Sequence, residues 1–174
     1  MKILIVDDNP DDQLLAKTFL SQDGYPGIEA VDSAEAAFSL LELEGETPPT
    51  FDLILLDISL PGTDGIEATR TIKSSNKYAE IPVIMMTAHS PQDYLARAFR
   101  AGAMDFISKP FNKIEFLARV NAAIRLKREM DRRRAHEKEL VEMTIKLARA
   151  NEELKKISMI DPLTDIPNRR HFDA

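Results

Sequence analysis

At 174 residues the chain can hold one domain of ordinary size plus an appendage, and its apolar share of 44 % is normal for a globular protein. With no Cys it has no disulfides and no thiolate metal sites, and no apolar run approaches the ~20 residues of a membrane span. The net charge of −6 is uneven: residues 1–110 hold 8 Lys+Arg against 18 Asp+Glu, residues 111–174 hold 15 against 11, so two differently built parts are expected.

The first part alternates strand and helix signals. "KILIVDD" (2–8) is a β-branched run ending in acids. Because it begins at Lys2, no signal peptide is expected, and a cytoplasmic protein fits. "NPDDQLLAKTFLSQ" (9–22) offers Asn9 as N-cap, Pro10 at the first helical position, and Leu14, Leu15, Thr18 and Phe19 at helical spacing. "GIEAVD" (27–32) reads as a strand, "SAEAAFSLLELE" (33–44) as a helix capped by Ser33, and "GETPPT" (45–50) as a loop. "DLILLD" (52–57), a helix from about Asp64 to Ser74, "IPVIMMTA" (81–88), a helix from about Pro91 to Ala101 and "MDFISKP" (104–110) follow, before a last helical pattern from Asn112. Strands alternating with helices imply right-handed crossovers and a doubly wound, five-stranded parallel sheet covered on both faces. Near-continuous apolar strands agree with that burial.

In such sheets the functional crevice lies beyond the carboxyl ends of the strands. There stand Asp7 and Asp8, Asp57, Thr87 with Ala88, and Lys109 with Pro110. Carboxylates gathered at one edge repel and need a cation, and hard oxygen ligands suit Mg²⁺. A metal beside Asp57, a Lys opposite and a hydroxyl nearby would hold the oxygens of a transferring phosphoryl group. Each residue has a plainer reading as well: helix-entry acids, a strand Thr, a surface Lys. Only their company favours the sharper one.

"VDD", "LLDISLPGTDG", "MTA" and "KP", in that order, resemble the receiver domain of bacterial two-component response regulators over roughly residues 1–125. The resemblance implies a flavodoxin-like fold, a phosphoryl group taken from a sensor histidine kinase, and Asp57 as its acceptor. It also implies Asp8 as a direct Mg²⁺ ligand, Asp7 as a water-mediated one, and the Ser59 carbonyl completing the protein ligands. Thr87 matches the hydroxyl that swings onto the phosphoryl group, Lys109 the cation that pairs with it, and Pro110 the residue after a cis bond. Phe106 stands where the family has its switch aromatic, often Tyr. With no hydroxyl it would report the switch only by moving inward; it reads equally as core.

The second part begins with residues 112–158, which contain no Pro and no Gly. Asn112 and Glu115 have the form of a capping box, and Ile114, Leu117, Val120 and Ile124 are expected to pack on the sheet. Leu140, Met143, Leu147, Ala150, Leu154 and Ile157 repeat at 3,4,3,4,3 spacing, a short coiled-coil seam weakened by Met and Ala at d. One continuous helix would reach ~70 Å at 1.5 Å per residue. "KREMDRRRAHEK" (127–138) interrupts the seam at Arg133 and His136. It reads as solvated helix, as a basic region for DNA, or as the site of a phosphorelay histidine at His136. The acids Glu129, Asp131 and Glu137 argue against nucleic acid, and the Pro that follows such a histidine is absent.

"DPLTDIPNRRHFDA" (161–174) resembles the opening of GGDEF domains, the diguanylate cyclases, through Asp161, Leu163, Thr164, Asn168, Arg169 and Arg170. Ile166 and Asp165 depart from the usual Leu and Gly. No G-G-[DE]-[DE]-F loop follows, so a piece cut before its output domain is expected, and GTP would bind only in that missing domain. The expected organisation is a receiver at 1–125, a helical coiled-coil linker at 126–160 and the start of a GGDEF domain at 161–174. The expected partners are a sensor histidine kinase and a second copy, paired through a receiver face and the coiled coil. A DNA-binding regulator and a stand-alone receiver or scaffold are the alternatives.

Overall fold

The structure, a computed structural model, describes residues 1–43, 48–88 and 92–158, and the side chains of all of these except 92–93 and 155–158. The elements are β1 (Lys2–Val6), α1 (Pro10–Gln22), β2 (Gly27–Val31), α2 (Ala34–Leu41), β3 (Leu53–Asp57), α3 (Gly65–Ser74), β4 (Val83–Thr87), α4 (Gln92–Ala101), β5 (Asp105–Ser108) and α5 (Lys113–Ser158). The five strands are parallel in the order β2-β1-β3-β4-β5, the doubly wound flavodoxin-like arrangement. Met1–Arg128 form one compact unit, and the described residues from Glu129 to Ser158 belong to a second. No helix among the described residues is long and apolar enough to cross a membrane.

Side chains alternate across the sheet, so each strand feeds two cores. Leu4, Val6, Ile54, Leu56, Val83 and Met85 pack with α2, α3 and α4 through residues such as Ala37, Ile66, Ile72 and Ala98. Ile3, Ile5, Leu53, Leu55, Ile84, Met86 and Ile107 pack with α1 and α5 through Ala16, Leu20, Phe116, Val120, Ala123 and Ile124. Two helix starts are capped as expected, Asn9 accepting from Asp11 N and Ser33 from Ala36 N, and Asp64 caps a third by accepting from Glu67 N. Asn112 accepts from Ile114 N and Glu115 N, but the Glu115 carboxylate pairs with Arg119 instead of completing a capping box.

Two helix faces differ from the sequence reading. In α1, Leu14 is 65 % exposed and Leu15 37 %, while Ala16 and Leu20 are buried. Gln13 Nε2 donates to the Asp7 carbonyl at 2.6 Å and the Val31 carbonyl at 3.2 Å. This tie at the ends of β1 and β2 sets the rotation of the helix, and the small Ala16 then faces the sheet. In α5, Ile114 is 82 % exposed and Phe116 is fully buried. Phe116 meets Phe19 edge-on at 5.7 Å and Phe111 at 5.3 Å, and this aromatic cluster turns Ile114 outward.

The corrected α5 face is testable by denaturant unfolding. Phe116→Ala should cost about 3–5 kcal/mol through cavity formation. Ile114→Ala should stay within ~0.5 kcal/mol. Equal losses from both would place the wrong residue in the core.

Candidate functional site at the strand ends

The carboxyl ends of β1, β3, β4 and β5 bring the acids, the hydroxyl and the ammonium to one edge. Asp7 is fully buried, Asp8 is exposed, and Asp57 is 5 % exposed. A carboxylate oxygen from each lies within 4.8 Å of the others. Thr87, buried at the end of β4, stands one residue beyond Met86, the partner of Asp57 in the β3–β4 register.

Lys109 follows β5, its peptide bond to Pro110 is cis, and its N–H donates to the Thr87 carbonyl at 2.7 Å. Its Nζ reaches Asp57 Oδ2 at 2.8 Å, Asp7 Oδ2 at 2.7 Å and Asp12 Oδ2 at 3.0 Å. Burial alone would lower the pKa of this ammonium. The adjacent carboxylates of Asp57, Asp7 and Asp12 more than offset that and hold it above its ordinary value. For Asp7 burial prevails: its carboxyl is pushed up despite the help of Lys109 and of the Asn9 N–H, which donates to Oδ1 at 3.0 Å. Asp7 Oδ2 touches Lys109 outside hydrogen-bond geometry and has no hydrogen-bond partner among the described residues. A buried carboxylate oxygen lacking a hydrogen bond, beside two further carboxylates, is a donor set that fits a small hard cation such as Mg²⁺.

The backbone after β3 fixes Asp57. Ser59 N donates to Asp57 Oδ1 at 3.2 Å, and Gly65 N donates to the Ile58 carbonyl at 3.0 Å. A Cβ at position 65 would stand 2.0 Å from the Asp57 carbonyl, so this close return of the chain requires Gly. Glu35 straps the same loop from α2, accepting from Thr63 Oγ1 at 2.7 Å.

Sequence reasoning missed Asp12, whose place in the first turn of α1 reads as an ordinary helix-entry acid. It also missed the surroundings of Phe106. The ring is half-buried, edge-on to Phe99 at 6.4 Å and under the Arg119 guanidinium at 5.3 Å. Arg119 donates to both Asp105 oxygens at 2.7 and 2.8 Å and to Glu115 at 2.9 Å. Only a folded sheet brings positions 105 and 119 together.

Comparison with known proteins agrees with this edge. The sequence pattern of the family described as response regulator receiver domain matches residues 3–121. Over 123 residues the chain is 37 % identical to the phosphate regulon transcriptional regulatory protein PhoB of Pseudomonas aeruginosa, covering 71 % of this chain and 51 % of that protein. It is 39 % identical over 124 residues to the transcriptional regulatory protein ResD of Bacillus subtilis, covering 71 % and 48 %. The chain thus spans about half the length of the curated relatives it matches. The solved receiver domain of sensor histidine kinase PA1611 from Pseudomonas aeruginosa has a magnesium ion coordinated in its active-site cleft. It is 31 % identical, with a TM-score of 0.62 over 71 % of this chain and 96 % of that one. A CheY-like receiver domain protein from Methanospirillum hungatei gives 26 % identity and a TM-score of 0.64 over 74 % and 97 %. The matched stretch holds all five strands and the acidic edge they build, and it makes this protein a member of the response regulator receiver domain family.

Proposed function

We propose that this chain is a phosphorylation-dependent receiver: Asp57 accepts a phosphoryl group from a sensor histidine kinase and thereby controls dimerisation of a diguanylate cyclase output domain. The observation that carries the acceptor role is the Lys109 ammonium 2.8 Å from Asp57 Oδ2, on a carboxylate 5 % exposed and steadied by the Ser59 N–H. An Asp57 oxygen attacks the phosphorus in line, the O–P bond forms, and the phosphorus–nitrogen bond to the donor imidazole breaks. Lys109 turns toward the transferred phosphoryl oxygens, and the Thr87 hydroxyl swings onto the same group. Asp8 would hold Mg²⁺ directly, with Asp57 and the Ser59 carbonyl, and Asp7 through water. The ion supplies neutralisation of the phosphoryl charge. When Thr87 moves, Phe106 shifts inward from its place beside Phe99 and Arg119 and reshapes the face built by α4, β5 and α5.

The output assignment rests on the GGDEF-like residues 161–174, which lie outside the described residues, as does the side chain of Ile157. The intervening helix supports a stalk. Leu140, Met143, Leu147 and Leu154 are each more than half exposed, and Ala150 is exposed as well, so the proposed seam awaits a partner helix. Val141 and Ile145 are also exposed but lie off the seam. Arg133 pairs loosely with Glu129 at 3.7 Å and His136 with Glu139 at 3.8 Å, as expected of solvated helix. Pairing by so short a seam is marginal, which leaves it open to control by the receiver.

One observation favours a second reading. The curated relatives PhoB and ResD are transcriptional regulators, so a DNA-binding output is the runner-up. Duplex binding with a steep salt slope would favour it.

Three outcomes test these roles. Acetyl phosphate with Mg²⁺ should place one hydroxylamine-labile phosphoryl group on the protein, and Asp57→Asn should abolish it. Equal labelling of that variant would remove Asp57 from its role.

Charged Asp7 is disfavoured by folding, because its pKa is raised in the folded state by burial. The folded chain therefore holds that proton more tightly, and stability is lost as pH rises through the raised value. Asp7→Asn should raise the urea midpoint at pH 7, the gain fading as pH falls toward the ordinary value of 3.8. Added Mg²⁺ should stabilise the parent more than the variant. A variant less stable than the parent at pH 7 would contradict this account.

Light scattering should show a heavier species with beryllofluoride than without. Leu147→Lys should weaken stalk pairing by burying a charge. Identical masses in both states, unmoved by Leu147→Lys, would sever the stalk from the switch.

A further inference from the structure

We propose that Asp12 is a positioning residue for Lys109, one that favours the site's cation and opposes its phosphoryl group. The inference rests on Asp57 being the phosphoacceptor. The Lys109 ammonium donates a hydrogen bond to Asp57 at 2.8 Å and forms ion pairs with Asp7 at 2.7 Å and Asp12 at 3.0 Å. The first two carboxylates belong to strand ends. Asp12 comes from α1 and is held in place by the helix itself, because Asn9 caps the entry and Gln13 is tied to the carbonyls of Asp7 and Val31. Its side chain is only 24 % exposed, so it faces Lys109 from a partly buried position. An acid in the first turn also suits the helix dipole, but the exposed neighbour Asp11 already serves that purpose.

Two consequences of opposite sign follow. A phosphoryl group on Asp57 needs a Lys109 N–H, and Asp12 competes for that same ammonium while its charge repels the incoming anion. A divalent cation at the carboxylates of Asp7, Asp8 and Asp57 is attracted by the same charge. Asp12 thus raises the demand for the metal before the anion can be accepted.

The test uses Asp12→Asn, which keeps the shape and removes the charge, with Asp12→Glu as the conservative control. Calorimetric titration measures Mg²⁺ affinity, then beryllofluoride affinity at saturating Mg²⁺. In Asp12→Asn, Mg²⁺ affinity should fall about threefold and beryllofluoride affinity should rise about three- to tenfold, sizes expected of one partly screened charge. Asp12→Glu should remain near the parent in both. A residue that served only the helix would weaken both together, or neither; either result overturns the proposal. A parent that binds no beryllofluoride and takes no phosphoryl group on Asp57 would overturn the phosphoacceptor reading and the role of Asp12 with it.

Discussion

The contact between the Lys109 ammonium and the carboxylates of Asp7, Asp12 and Asp57 is the constraint around which this receiver is arranged. With Asp8 close to Asp7 and Asp57, four acids outnumber the Lys109 ammonium among the described residues of this edge. Two of these acids are almost wholly buried, where unpaired charge is most expensive. A rigid scaffold is what keeps such a cluster from spreading apart. The same imbalance prepares the site for a divalent cation, since a second positive group relieves repulsion that Lys109 alone cannot.

Rigidity comes from the two cores. Each central strand sends alternate residues into both, so β1 and β3 cannot shift without disturbing helices on opposite faces. The ends of those strands inherit that stiffness, and local ties refine it: Gln13 on the Asp7 and Val31 carbonyls, Ser59 N–H on Asp57, Gly65 against the Asp57 carbonyl. Packing therefore sets the distances on which the chemistry relies.

Phe106 stands in an aromatic and cationic setting of its own. Its ring lies between Phe99 on α4 and Arg119 on α5, and Arg119 is in turn held by Asp105 on β5. Phe lacks the hydroxyl that would give a Tyr a second hydrogen-bonded position. The position of this ring is held by packing and by the cation above it.

The sequence by itself determined the strand–helix alternation, the helix caps and the cluster of acids, hydroxyl and ammonium at the strand ends. These are local or periodic properties, visible in "KILIVDD", "LLD" and "SKP" without knowledge of distant contacts. It did not determine which face of α1 or α5 turns inward. Leu14 and Ile114 look like core residues by spacing, yet the Gln13 tie and the Phe19–Phe111–Phe116 cluster rotate them to solvent. Nor did it expose Asp12 as a partner of Lys109, or Arg119 as the clamp over Phe106, because each pair is distant in sequence and meets only across the folded sheet. Periodicity states which residues share a helix face. The partners available at the sheet decide which face is buried, and that decision belongs to the tertiary structure.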